Sequence, residues 1–173
     1  MNEPAVVVRK ARQGDLDFLR AVAPRLVAFG SVPTRSAEAI VRTVRLQLVN
    51  ALERMLAEQA PAASAADGST GRGTVAVLIA EDGAGDAAGC VHVQLGTEFF
   101  SGEPEAYVAV LAVTEAAEGR GIGRALMAAA EHWAQERGLT RLSLEVFAGN
   151  RRAREFYAKQ GFEEDSLRLV REW

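Results

Sequence analysis

Leu111-Ala112-Val113-Thr114-Glu115-Ala116-Ala117-Glu118-Gly119-Arg120-Gly121-Ile122-Gly123-Arg124-Ala125-Leu126 decides how this chain is read. An apolar run short enough for a buried strand leads into three glycines at alternate positions, and the glycines open onto a helix. The amides of a helix's first turn have no acceptor within the helix. They point the same way as the positive end of the helix dipole, and glycines let backbone come close to a phosphate. Arg120 and Arg124 can add charge-assisted contacts.

Several readings of this turn compete. A dinucleotide fingerprint needs G-x-G-x-x-G/A, and Leu126 fails its last position when the count starts at Gly121. That motif also belongs early in a chain, whereas this one lies past the middle. A nucleotide-triphosphate loop needs a Gly-Lys pair, and the sequence contains none. The pyrophosphate arm of coenzyme A is a third reading. A glycine turn that only starts a helix is the fourth.

Outward from the turn, elements alternate. Val6, Val7 and Val8 read as a strand, followed by Asp15 as a helix cap and Leu16, Leu19, Val22, Ala23 and Leu26 at helical spacing. Pro24 is expected to kink or end that helix. Residues 29–35 read as a loop. Ile40, Val44, Leu48, Ala51 and Met55 mark a long helix from about Ser36 to Gln59. Residues 61–73, rich in Ala, Ser, Gly and Thr, read as a flexible surface loop. Residues 74–80 and 88–96 read as antiparallel strands joined through Asp82-Gly83 and Gly85-Asp86, and residues 106–113 as a buried strand. Ile122, Leu126, Ala129 and Trp133 share one helix face that stops at Gly138. Residues 142–147 read as a strand, Asn150 opens a short helix closed by Gly161, and residues 166–172 read as a last strand. The order predicts an α/β class, α+β in detail: a central mixed sheet flanked by about four helices. The 173 residues are read as a single domain.

Composition excludes other classes. The formal net charge is −3, and basic residues are scattered, so no nucleic-acid partner is expected. A single cysteine, Cys90, and two histidines, His92 and His132, leave no metal set to expect. No apolar run is long enough to span a membrane, and residues 1–10 do not read as a signal peptide, so the expected location is cytoplasmic.

Residues 142–162 narrow the glycine-turn readings. Asn150, Ala153, Tyr157, Gly161 and Phe162 follow a strand in a fixed register, with the glycine turn upstream. Together these two stretches resemble the GNAT superfamily of N-acetyltransferases, closely over residues 106–162. The resemblance implies acetyl-coenzyme A as cosubstrate and direct acetyl transfer to a primary amine, on a small molecule or a protein, in a ternary complex. It implies that backbone groups of Leu111, Ala112 and Val113 hold the acetyl and pantetheine portions. Gly119, Arg120, Gly121, Ile122, Gly123 and Arg124 would hold the pyrophosphate, and Asn150 would face the cofactor arm. Tyr157 would protonate the leaving thiolate; a free phenol's pKa lies near that of a thiol.

Two departures stand out. The family motif begins with Gln or Arg, and here Glu118 occupies that place, so its side chain is expected to turn away. The strand before the turn lacks the carboxylate that many members use as a base, leaving Glu145, Glu105 or Tyr107 as candidates, with Glu145 put forward. Both departures support an alternative, a catalytically silent acyl-coenzyme A binding module on the same fold. Cys90 is expected in the core, and Trp133 and Phe156 likewise. His92 is expected to be solvated or hydrogen-bonded, with a place facing the acceptor cleft as the alternative, and Arg151, Arg152 and Arg154 to form a solvated face, with one of them reaching the adenosine phosphate as the alternative. The short C-terminus would leave an exposed sheet edge and suggests a homodimer.

Overall fold

The computed structural model describes residues 6–28, 35–59, 73–171 and 173. The expected loops at 29–35 and 61–73 therefore lie almost wholly outside the described residues. Five strands form one sheet in sequence order: β1 (Val7–Lys10), β2 (Val75–Glu81), β3 (Ala87–Thr97), β4 (Pro104–Val113) and β5 (Leu142–Leu144). The first three pairings are antiparallel and β4–β5 is parallel, so the sheet is mixed as the element order predicted.

Among the described residues four helices flank the sheet: α1 (Leu16–Val22), α2 (Ala37–Glu58), α3 (Ile122–Gln135) and α4 (Arg151–Ala158). Pro24 ends α1, because a ring without an N–H cannot continue the ladder; the chain goes on as a 3-10 segment, Ala23–Val27. Ser36 caps α2 by accepting the Ala39 N–H at 3.1 Å. Asp15 does not cap α1 with its carboxylate as expected. It instead accepts two bonds from Arg9, at 2.7 and 2.9 Å, and the Arg12 N–H at 2.6 Å. The charged partner on β1 outcompetes the helix amides. Arg9 also reaches Glu81 at 2.6 Å, so this pair of carboxylates fastens α1 to β1 and β2.

Side chains on a strand alternate between faces, which separates the helices into two layers. Gly89 lies against Ile122 and Leu126 of α3. His92, of opposite parity, faces the side of α2, where the Arg54 charge reaches it. The core fills both layers. Leu19, Leu48 and Leu52 are fully buried on α1 and α2, as are Ile122, Leu126 and Met127 on α3, and Trp133 is 5% exposed. Each such aliphatic side chain contributes about 2 kcal/mol by leaving water.

Two expected strands differ from the structure. The strand expected at 142–147 ends at Leu144, because β4 carries its partner groups away beyond that point. The strand expected at 166–172 does not form over the described residues. Leu167 and Leu169 are 77% and 84% exposed, and no strand pairs with the segment. Its start is held instead by ion pairs, Arg154 to Glu164 and Arg141 to Asp165. Alternation alone does not make a strand without a neighbour to accept its backbone.

The contact between α3 and β3 leaves no room for a methyl group at Gly89. A Cβ there would stand 2.9 Å from the Ala112 carbonyl oxygen, 2.9 Å from Ile122 and 3.1 Å from Leu126. Gly89→Ala is expected to destabilise the protein by about 1–3 kcal/mol, read as a lower denaturant midpoint with an unchanged slope.

Candidate active site

The site begins at an irregularity in β4. His92 pairs with Val110 and Val93 with Val108, so Ala109 is an extra residue on β4 with no partner on β3. A bulge bends its strand and ends pairing on the far side. Val108 is also the last residue of β4 paired with β5, opposite Leu144. Past it the two parallel strands part, and β4 runs on to Val113 with its outer edge open.

Alternation shows which groups line that gap. The Thr114 N–H turns to β3, bonding the Ala88 carbonyl at 2.9 Å. Ala112 therefore faces β3 as well, and the N–H and C=O of Leu111 and Val113 face the gap. The Val113 carbonyl accepts a bond from Arg25 Nε at 3.2 Å, across 88 residues of sequence. Of the three strand residues expected to hold a ligand by their backbone, the outer two have the right orientation and Ala112 does not.

β4 leads through a single 3-10 turn, Glu115–Ala117, to the glycines. Gly119 and Gly121 have φ of +75° and +78°, a conformation that costs other residues strain. Nothing lies within 4 Å of a Cβ built on either, so the turn presents bare backbone. The first full helical bond of α3 joins Ala125 N–H to Gly121 O at 3.0 Å. The amides of Ile122, Gly123 and Arg124 precede it and have no acceptor four residues back, a set of donors of the kind that suits an anion. Gly123 lies under Phe156 of α4, 3.1 Å from where its Cβ would be, so α4 closes one side. Arg124 lines an open groove of about 320 Å³ between α3 and α4, with Phe156, Lys159 and Gln160. Arg120 turns to Asp82 at 3.4 Å instead of along the turn.

The Glu118 side chain, expected to turn away from the glycines, lies between two arginines. One carboxylate oxygen bonds Arg25, and the other pairs with Arg152 at 2.7 Å. Arg152 is therefore not merely part of a solvated face. Sequence reasoning did not find Arg25, which lies 93 residues from its partner. The only available signal was the carboxylate itself, since a charge beside an anion site demands a counter-ion.

The remaining candidates fall into two clusters. Asn150 Oδ1 accepts the Ala153 N–H at 3.0 Å and caps α4. Tyr157 packs edge-on against Phe156 and Phe162, and burial pushes its phenol up to about 12. It stays protonated at neutral pH, yet it is a weaker acid than the free-phenol comparison implied. Glu145 is exposed just past β5 and, with Glu105, lends negative charge to the half-buried Tyr107, whose pKa is raised mainly by burial. Glu105 is itself buried, with Arg141 Nε at 3.5 Å. Cys90 is fully buried, its thiol pushed up to about 12 by desolvation, which suits a core residue and not a nucleophile.

His92 overturns its expectation. It is 4% exposed, and neither ring nitrogen completes a hydrogen bond. Burial lowers its pKa to about 4, the Gln94 side chain opposing and the Arg54 charge assisting.

A family model described as "Acetyltransferase (GNAT) family" matches residues 47–162. The chain belongs to that family. By sequence, no curated protein matches significantly. Among solved structures, the chain is similar to a PaiA N-acetyltransferase from Thermoplasma acidophilum in complex with coenzyme A. That match has 20% identity, covers 94% of this chain and 92% of the other, and has a TM-score of 0.70. A GCN5-related N-acetyltransferase from Ralstonia eutropha JMP134 matches at 17% identity, 97% and 99% coverage, and a TM-score of 0.69. The aminoglycoside N-acetyltransferase AAC(6')-Iy in complex with CoA matches at 18% identity, 97% and 95% coverage, and a TM-score of 0.65. These likenesses establish the fold.

The state of His92 makes a solution prediction. An unfolded chain takes up a proton on this imidazole near pH 6.5, whereas the native chain refuses it until about pH 4. Its contribution is therefore full above about pH 6.5 and is lost as pH falls towards 4, reaching about 3 kcal/mol. Thermal melts of His92→Gln between pH 4 and 7 are expected to show a flatter pH dependence than the parent.

Proposed function

We propose that this protein transfers an acetyl group from acetyl-coenzyme A to a primary amine, by direct attack within a ternary complex. One observation carries the reading: the gap where β4 leaves β5 runs into the bare-backbone turn at the start of α3. A wall of strand N–H and C=O groups thus adjoins an anion site, which suits a long ligand with an amide-bearing arm and a diphosphate. The PaiA and AAC(6')-Iy structures, each in complex with coenzyme A, support the same cosubstrate. Acetyl-coenzyme A supplies an activated thioester, so no covalent enzyme intermediate is required.

The chain's own residues then divide the work. Backbone groups of Leu111 and Val113 align the arm and polarise the acetyl carbonyl. Amides of Gly119, Gly121, Ile122, Gly123 and Arg124 hold the diphosphate. Asn150, beyond capping α4, faces the arm from the opposite wall. Tyr157 donates a hydrogen bond, and then its proton, to the sulfur as the carbon–sulfur bond breaks; a site that stabilises the phenolate at that moment offsets its raised pKa. Glu145 takes the proton from the attacking amine, through water, with Glu105 and Tyr107 nearby. These acidic groups favour an acceptor that arrives as a cation. The reaction is assigned to the cytoplasm and to a single domain. Among the described residues no helix is long and apolar enough to cross a membrane.

Two measurements test this. Calorimetric titration with acetyl-coenzyme A should show saturable binding, and a panel of primary amines should then release free thiol. Binding without thiol release for any amine would favour the silent module, and no binding at all would remove the reading. With a working acceptor, Tyr157→Phe is expected to lower kcat by about 10²-fold and leave acetyl-coenzyme A affinity unchanged; unaltered turnover would take the proton-donor role away from Tyr157.

A further inference from the structure

Glu118 sits one residue before the bare turn at Gly119, where a negative charge opposes the binding of an anion. The structure answers this with two guanidinium groups from two other elements. Arg25 comes from the 3-10 segment after α1, with its side chain 20% exposed; Arg152 comes from the first turn of α4. Glu118 joins both, one through each carboxylate oxygen, and its own side chain is 24% exposed. Arg25 also holds the Val113 carbonyl, an acceptor in the wall of the gap. A second carboxylate, Glu115, stands 3.8 Å from Arg25 but is 88% exposed and screened by solvent. The three residues thus form one charged bridge at the position that precedes the bare turn.

Resting on the acetyl-coenzyme A reading above, we propose that Arg25 and Arg152 are diphosphate-binding residues of this chain, and that Glu118 is the internal anion the diphosphate displaces. Planar guanidinium groups pair with phosphate oxygens in the same two-bond geometry they use for carboxylates. A diphosphate offers more charge and more acceptor oxygens than one carboxylate. Arg25 and Arg152 exchange Glu118 for those oxygens, and Arg25 releases the Val113 carbonyl to an amide of the incoming arm. Before binding, Glu118 keeps the two cations in place and neutralises part of their mutual repulsion. Its cost is competition, so it sets affinity downward.

The test compares the full-length parent with Glu118→Gln by calorimetry, using acetyl-coenzyme A and, as a probe lacking the diphosphate, S-acetylpantetheine. Glu118→Gln is expected to bind acetyl-coenzyme A about tenfold more tightly, with a steeper loss of affinity as salt is raised, and to bind acetylpantetheine as the parent does. Arg152→Ala, at a side chain that is 57% exposed, is expected to weaken acetyl-coenzyme A by about fivefold and to leave acetylpantetheine unchanged. A folded Glu118→Gln protein with equal or weaker affinity would mean that Glu118 is only a tether, and would overturn the proposal. So would an Arg152→Ala protein that binds like the parent, which keeps the question decidable if Glu118→Gln does not fold. Parent binding without these shifts removes only this inference. Absence of binding in both parent and Glu118→Gln removes the acetyl-coenzyme A reading with it.

Discussion

One extra residue, Ala109, governs the architecture of the site. Its insertion into β4 opposite the His92–Val93 step leaves β4 one residue too long for its antiparallel neighbour. The strand bends to absorb the excess, and its parallel pairing with β5 stops one residue away, at Val108 and Leu144. The cosubstrate arm proposed above would lie in the space that this parting creates. Had the pairing continued, the outward N–H and C=O groups of Leu111 and Val113 would be spent on β5. The bulge leaves these ladder groups without a strand partner, and α3 is seated tightly on Gly89 beside them.

Charge is arranged around this space with little waste. The positive features include the free amides of α3 and the guanidinium groups of Arg25 and Arg152, and Glu118 ties the last two together. The negative features, Glu105 and Glu145, gather around Tyr107 where β4 and β5 still run together. An anion and a cation would therefore be drawn to different parts of one cleft, as group transfer between a phosphorylated donor and an amine requires. His92, buried with both ring nitrogens unpaired on the α2 side of the sheet, is a standing cost in this design. Such a group is tolerated only while it remains neutral.

Much of this was legible along the chain because it depends on neighbours in sequence. The glycine turn, the helix start near Ser36, the cap at Asn150, the stop at Pro24 and the buried face of α3 are local rules of backbone chemistry, and each is present in the structure. The order of strands and helices up to α4 followed from hydrophobic period together with the turn residues between the elements. Local reasoning failed wherever a distant partner decided the outcome. Asp15 was offered helix amides and took Arg9. The alternation at Leu167 and Leu169 had the period of a strand but no edge to pair with.

The sequence by itself thus determined the family pattern, the mixed α/β class and the position of the anion-ready turn, since each is written in residues within a few places of one another. Tertiary structure alone decided where β5 stops, which backbone groups of β4 face the gap, and what becomes of the Glu118 charge. The physical reason is the same in all three cases. Strand pairing and charge pairing are satisfied across space, and the partners here, β3 against β4 and Arg25 against Glu118, meet only after the chain has folded between them.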